Sequence, residues 1–205
     1  MSQTPPLPIH TAPLPYVERL QARTLDAIEL AVIHCTELPD LASARAYGER
    51  VLYPSGTGNS GHFYIDRDGS VHQYVPLQRV AHHVRGYNPQ SLGIELVNRG
   101  RYPHWLDSRH QAMDEAYPPA QIQALIALLR QLQAQLPQLR RIAGHDALDR
   151  SREPASDDPA LQVQRKLDPG PRFPWTQVLE AVALTPYVPS ADALAGSGNV
   201  PIAPL

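Results

Sequence analysis

Apolar residues along this chain keep two different rhythms. Three short runs have strand length: ELAVIHC at 29–35, SLGIELV at 91–97 and LRRIAGH at 139–145. Each is bounded by polar or turn-forming residues, as a buried strand is. Residues 61–75, GHFYIDRDGSVHQYV, alternate on either side of Asp68-Gly69, a dipeptide that tolerates positive φ, and so predict a β-hairpin. Helical spacing governs 118–136. There two prolines suit a first turn, and Ile122, Leu125, Ile126, Leu129, Leu132 and Leu136 repeat along one face as a core stripe. A shorter helix is expected over 40–52, with Asp40 as N-cap and Leu41, Ala44, Val51 and Leu52 on one side. A closing helix is expected over 174–182. Strands interleaved with helices predict an α/β single domain, a mixed central β-sheet flanked by helices, with 139–145 as its last strand.

Composition narrows the class of protein. The chain has 205 residues, 42% hydrophobic and 19% charged, a globular balance. A net charge of -2 gives no electrostatic footprint for nucleic acid or an anionic membrane. Nothing approaches the roughly 18 consecutive apolar residues of a spanning helix, so membrane insertion is not expected. The 22 prolines concentrate near both ends. We therefore divide the chain into a Pro-rich arm (1–27), a domain (28–183) and a Pro-rich tail (184–205), the ends being ordered only if they pack on the body. The first residues lack the basic and apolar regions of a secretory signal, and the single cysteine, Cys35, suits a reducing compartment. A cytoplasmic location is the expectation. Delivery to the periplasm or cell wall without a classical signal is the alternative, and the oligomeric state is open.

Candidate chemistry sits at the strand ends, where a rigid frame projects side chains into a cleft. His34 ends the first strand, His145 follows Gly144 at the exit of another, and Asp168 lies in KLDPGPRFPW, a loop stiffened by Pro169, Gly170 and Pro171. Two imidazoles and a carboxylate are a donor set typical of catalytic zinc, which keeps a fourth position for water. Taken singly, each is as well explained as a hydrogen-bonded structural residue, and no short signature such as HExxH is present. Arg85 and Asn88 are further candidate binding residues, since arginine can grip a carboxylate with two hydrogen bonds. Asp66 and Asp68 read as turn residues, His62 and His72 as structural, His104 and His110 as exposed loop residues, and Cys35 as buried on the opposite strand face.

Five ordered motifs, AVIHCTE, GHFYIDRDGSVHQYVP, YNPQSLGIELVN, IAGHDAL and KLDPGPRFPW, together resemble the zinc-dependent N-acetylmuramoyl-L-alanine amidases of the Amidase_2 type. That family includes the phage-lysozyme amidases and the peptidoglycan recognition proteins, and the resemblance covers roughly residues 28–182. It implies an amidase-like fold, a Zn2+ cofactor held by His34, His145 and Asp168, Glu95 as general base and Lys166 as oxyanion stabiliser. It also implies hydrolysis of the amide between N-acetylmuramic acid, or its 1,6-anhydro form, and L-alanine, with peptidoglycan fragments as partners. His83 falls where relatives carry a tryptophan-histidine pair lining the cleft, His82 standing for the tryptophan, which makes His83 a candidate substrate contact. Two other functions stay open, a peptidoglycan-binding module without catalysis and a zinc hydrolase of another amide. A surface insertion is expected over about 149–163, placed to shape access to the cleft.

Overall fold

The computed structural model describes residues 6–189. Its strands are β1 (Ile9–Thr11), β2 (Leu30–Cys35), β3 (Phe63–Ile65), β4 (Val71–Gln73), β5 (Ser91–Leu96), β6 (Arg141–Gly144), β7 (Arg152–Pro154), β8 (Gln162–Gln164) and β9 (Thr185–Pro186). The helices are α1 (Leu41–Gly48), α2 (Pro119–Gln135), a single turn α3 (His145–Leu148) and α4 (Trp175–Ala181). Seven strands form one mixed sheet in the order β1-β4-β3-β5-β2-β6-β9, and β7 and β8 make a separate two-stranded ribbon.

β2 lies near the middle, parallel to both β5 and β6. All six of its residues are buried, which is why its sequence runs continuously apolar up to His34 instead of alternating. The β3–β4 hairpin turns where expected, with Gly69 at φ 89. A Cβ at Gly69 would also lie 2.8 Å from Ala120 O, so the turn and the start of α2 sit against one another. The α2 stripe seals one face of the sheet: Ile122, Leu125, Leu128, Leu129 and Leu132 pack with Ala31, Ile33, Ile65, Leu92, Ile94 and Leu96. Buried Gln121 satisfies strand ends there, its Nε2 donating to Ile65 O at 2.9 Å and to Val97 O at 3.1 Å.

Three expectations need correction. The helix over 40–52 stops at Gly48, although Asp40 caps it as expected, Oδ1 accepting from Ser43 N at 2.7 Å. Beyond Gly48 the N–H groups of Leu52 and Tyr53 both turn to Thr57 O, closing a loop in place of a further helical turn. Val51 is accordingly exposed. The strand at 139–145 is not the last, because the β7–β8 ribbon and the edge strand β9 follow it. The N-terminal arm is also more than an arm over its described part. β1 extends the sheet beside β4, and Leu14, Tyr16, Val17 and Leu20 are buried with Tyr64, Tyr74 and Val75. In the tail, β9 pairs with β6; residues 190–205 lie outside the described residues.

The contrast between α2 and the end of α1 can be measured. Leu129 is fully buried, and Leu129→Ala is expected to lower unfolding stability by about 2–5 kcal/mol. Val51→Ala is expected to stay within about 0.5 kcal/mol of the unsubstituted protein. Urea unfolding midpoints of the two variants check this, and a comparable loss for Val51→Ala would contradict the helix boundary.

Candidate active site

One row of the sheet carries most of the polar chemistry. His34 on β2 is in register with Glu95 on β5, Glu95 with Tyr64 on β3, and Tyr64 with His72 on β4. Side chains in one row project to the same face. Here it is the face away from α2, because Ile33, Ile94, Phe63 and Ile65, one position to either side, pack into the α2 core. β6 ends at Gly144, opposite Ile33, so His145 leaves the sheet one residue further on, beside His34.

Asp168 arrives from the loop between β8 and α4. Its backbone carbonyl accepts from Asp146 N at 2.9 Å, and Tyr117 Oη donates to the next carbonyl, Pro169 O, at 2.7 Å. Gly144 lets that loop come close, since a Cβ there would lie 2.9 Å from Pro169 Cδ. His34 Nδ1, His145 Nδ1 and Asp168 Oδ2 consequently form a triangle with sides of 3.0, 3.0 and 3.1 Å. All three residues are buried. The sides are close to the roughly 3.3 Å between ligands that bonds of about 2.0–2.1 Å imply in a tetrahedral zinc site. Asp168 Oδ1 and His145 Nε2 are buried with no hydrogen-bond partner among the described residues. Two imidazoles favour zinc or a similar transition metal over magnesium or calcium, which prefer all-oxygen sites.

Electrostatics bind the cluster together. Burial opposes charge on His34, but Glu95 and Asp168 outweigh it and hold its pKa above the ordinary histidine value. At His145 burial wins and lowers the pKa to about 4. Asp168 is also buried, yet the two imidazoles keep its carboxyl well below the usual range. Glu95 places Oε1 4.0 Å from His34 Nδ1. Burial pushes its pKa up to about 7, against the pull of His34 and Lys166. Gly61 makes room for it, because a Cβ there would lie 2.8 Å from Glu95 Cγ. Lys166 is partly buried, and its charge acts on His34, His145 and Glu95 alike.

The residues expected to meet substrate separate. His83 lies against the cluster, its Nδ1 3.0 Å from His34 Nε2. Asn88 is turned inward, with Oδ1 accepting from His83 N at 3.0 Å and Val84 N at 2.8 Å. Arg85 is partly buried and its side chain has no hydrogen bond among the described residues.

Three contributors escaped the sequence reading. Tyr64 is buried beside Glu95 and its Oη accepts from Gly61 N at 3.2 Å; alternation along the hairpin could have put it on the Glu95 face. Ser91 shares that face with Glu95 by the same alternation. Nothing in the sequence announced the third, the buried pair Arg101–Glu37. Arg101 Nε and Nη2 donate to the two Glu37 carboxylate oxygens at 2.7 and 2.9 Å, while Nη1 and Nη2 also donate to Gln164 O and Arg165 O. Glu37 itself sits at φ 48, a left-handed backbone that few non-glycine residues adopt.

Fold and cluster together define an α/β domain built around a candidate metal centre. The family model described as N-acetylmuramoyl-L-alanine amidase, Amidase_2, matches residues 24–171, and the chain belongs to this family. N-acetylmuramoyl-L-alanine amidase AmiD of Escherichia coli (strain K12) is 36% identical over 118 residues, 54% of this chain and 37% of AmiD. The 1,6-anhydro-N-acetylmuramyl-L-alanine amidase AmpD of Salmonella typhimurium (strain SL1344) is 33% identical over 137 residues, 62% of this chain and 59% of AmpD. The chain therefore spans between about a third and three-fifths of these curated relatives. Among solved structures, an AmpD selenomethionine derivative matches with a TM-score of 0.62 at 25% identity, covering 85% of this chain and 94% of that one. E. coli AmiD in complex with anhydro-N-acetylmuramic acid-L-Ala-D-gamma-Glu-L-Lys matches with a TM-score of 0.58 at 27% identity, covering 87% of this chain and 66% of that one.

The Arg101–Glu37 pair yields a stability prediction. Arg101→Ala would leave the Glu37 carboxylate buried and unpaired, for an expected loss of about 3–5 kcal/mol in urea unfolding. A loss under about 1 kcal/mol would show that Glu37 finds water or protonates without consequence.

Proposed function

We propose that the chain is a zinc-dependent amidase cleaving the bond between N-acetylmuramic acid, or its 1,6-anhydro form, and L-alanine in muropeptides. The observation that carries this reading is the complete donor triangle of His34, His145 and Asp168 with Glu95 4.0 Å away, in a chain that belongs to the amidase family. A binding-only module would have no need of the full triangle or of a carboxylate held near neutrality beside it.

His34 Nδ1, His145 Nδ1 and Asp168 Oδ2 would hold the metal. When bound, zinc would supply Lewis acidity to the scissile carbonyl and lower the pKa of a coordinated water to about 7. Glu95 is placed to take the proton of the attacking water. Burial raises its pKa while a bound cation would lower it, and between the two Glu95 can return that proton to the alanine nitrogen. That return matters because an amide nitrogen leaves poorly until protonated. Lys166, whose charge reaches His34, His145 and Glu95, balances the negative charge that grows on the carbonyl oxygen. Arg85, without an internal partner among the described residues, is left to meet a carboxylate of the stem peptide.

Peptide release from purified anhydro-muropeptide and from intact sacculi, followed separately, tests the reading and ranks the two substrates. A chelator and His34→Ala are each expected to abolish release. Glu95→Gln is expected to lower kcat by about 10²–10⁴-fold while bound zinc stays stoichiometric. Release that persists through chelation and His34→Ala would overturn the proposal.

A further inference from the structure

We infer that His83 and Ser91 are positioning residues that set which nitrogen of His34 carries its proton, so that Nδ1 is the bare nitrogen facing His145 and Asp168. The inference rests on the reading of that triangle as a metal centre. It is carried by a chain of hydrogen bonds whose far end allows one solution.

That end is Ser91. Its hydroxyl has a single proton, and Tyr87 O, 2.7 Å from Oγ, can only accept it. The contact of 3.2 Å between Ser91 Oγ and His83 Nε2 must then use a proton on His83. A neutral imidazole protonated at Nε2 has a bare Nδ1, and His83 Nδ1 lies 3.0 Å from His34 Nε2. Two lone pairs cannot make that contact, so the proton is on His34 Nε2. In the neutral ring His34 Nδ1 is consequently free to donate its electron pair to a cation. A metal-bound histidine commonly has its second nitrogen fixed in this way by an outer hydrogen bond. Here the fixing group is a second imidazole, itself fixed by a hydroxyl.

The surroundings hold the chain in place. The His83 and Val84 N–H groups are tied to Asn88 Oδ1. Arg23 donates to Asn88 O and Pro89 O at 3.2 Å and to Ser91 O at 2.5 Å, pinning the segment that bears the serine. Gly93 leaves the strand surface open beneath the His83 ring, since a Cβ there would lie 2.6 Å from His83 Cγ. His83 meets His34 edge-on, with ring centroids 5.2 Å apart and planes at 87°. These contacts leave both His83 nitrogens with internal partners and make the ring a support for His34.

Long-range ¹H–¹⁵N spectra of the full metal-free chain test the assignment directly. At a pH where both rings are neutral, His34 and His83 are each expected to show the Nε2-protonated pattern, and a neutral ring of either with its proton on Nδ1 would overturn it. Zinc affinity, measured by competition with a chromogenic chelator, gives a second readout. Ser91→Ala and His83→Phe are expected to weaken binding by about 10–100-fold. His83→Gln, whose amide can accept from His34 and donate to Ser91, is expected to retain most of the affinity. Unchanged affinity in Ser91→Ala and His83→Phe, both folded by circular dichroism, would also overturn the inference. Should those variants fail to fold, the spectra of the unsubstituted chain decide alone. Neither readout uses a peptidoglycan substrate, so a failure of the amidase reading would appear separately, as zinc binding without peptide release.

Discussion

Two imidazole nitrogens and a carboxylate oxygen held 3.0–3.1 Å apart out of water are the constraint on which the rest of this structure depends. Lone pairs aimed at one point repel unless a cation or shared protons lie between them, and a buried carboxylate is costly without a partner. Left to relax, the three groups would swing apart. They do not, because each hangs from a different rigid support. His34 is on the fully buried strand β2, His145 is on the turn that leaves β6, and Asp168 is in a loop tied by Asp146 N and Tyr117 Oη.

Sheet register turns this local demand into a property of the whole fold. With a side-chain period of two, a slip of one residue in β2 against β5 would send His34 into the α2 core and bring Ile33 into the cleft beside Glu95. The apolar face against α2 is therefore what keeps the polar face aligned, and the leucine stripe, which has no chemistry of its own, contributes to site geometry. Gly61 and Gly93 complete the arrangement. Each sits where a Cβ would collide with a site side chain, Glu95 in one case and His83 in the other.

What could be read in advance follows from how local each signal is. The α2 stripe, the Asp68-Gly69 turn and the runs around His34 and Glu95 are short-range patterns, and the structure has a helix, a turn and strands there. His34, Glu95 and Asp168 could be singled out because motif resemblance stood in for the contacts that spacing alone does not give. The end of α1 was misjudged because Val51 and Leu52 continue a helical period, while the competing acceptor, Thr57 O, belongs to a later loop. The order within the described part of the Pro-rich arm was equally hidden. Proline content predicts irregular backbone and says nothing of whether Leu14 and Tyr16 find a pocket, which depends on Tyr64, Tyr74 and Val75 far along the chain. Ser91 looked like an ordinary strand residue, since its role exists only through His83.

The β7–β8 ribbon sits beside the site and is anchored by contacts of its own. The ribbon docks on the 104–111 loop, where Ser156 N donates to Leu106 O at 2.8 Å and Ser108 N and Oγ both donate to the Asp157 carboxylate at 2.7 Å. At its exit, Arg101 grips Gln164 O and Arg165 O with the same guanidinium that pairs with Glu37. Glu37 stands three residues after His34, and Arg165 three residues before Asp168. One buried cation, 64 residues from Glu37 and 64 from Arg165, therefore joins the segment after the first ligand's strand to the loop of the third. The turn between β7 and β8 lies on the far side of that anchor from Lys166 and Asp168. Between Arg165 and Asp168 the chain has only Lys166 and Leu167, so the third ligand stays close to the anchored carbonyl of Arg165.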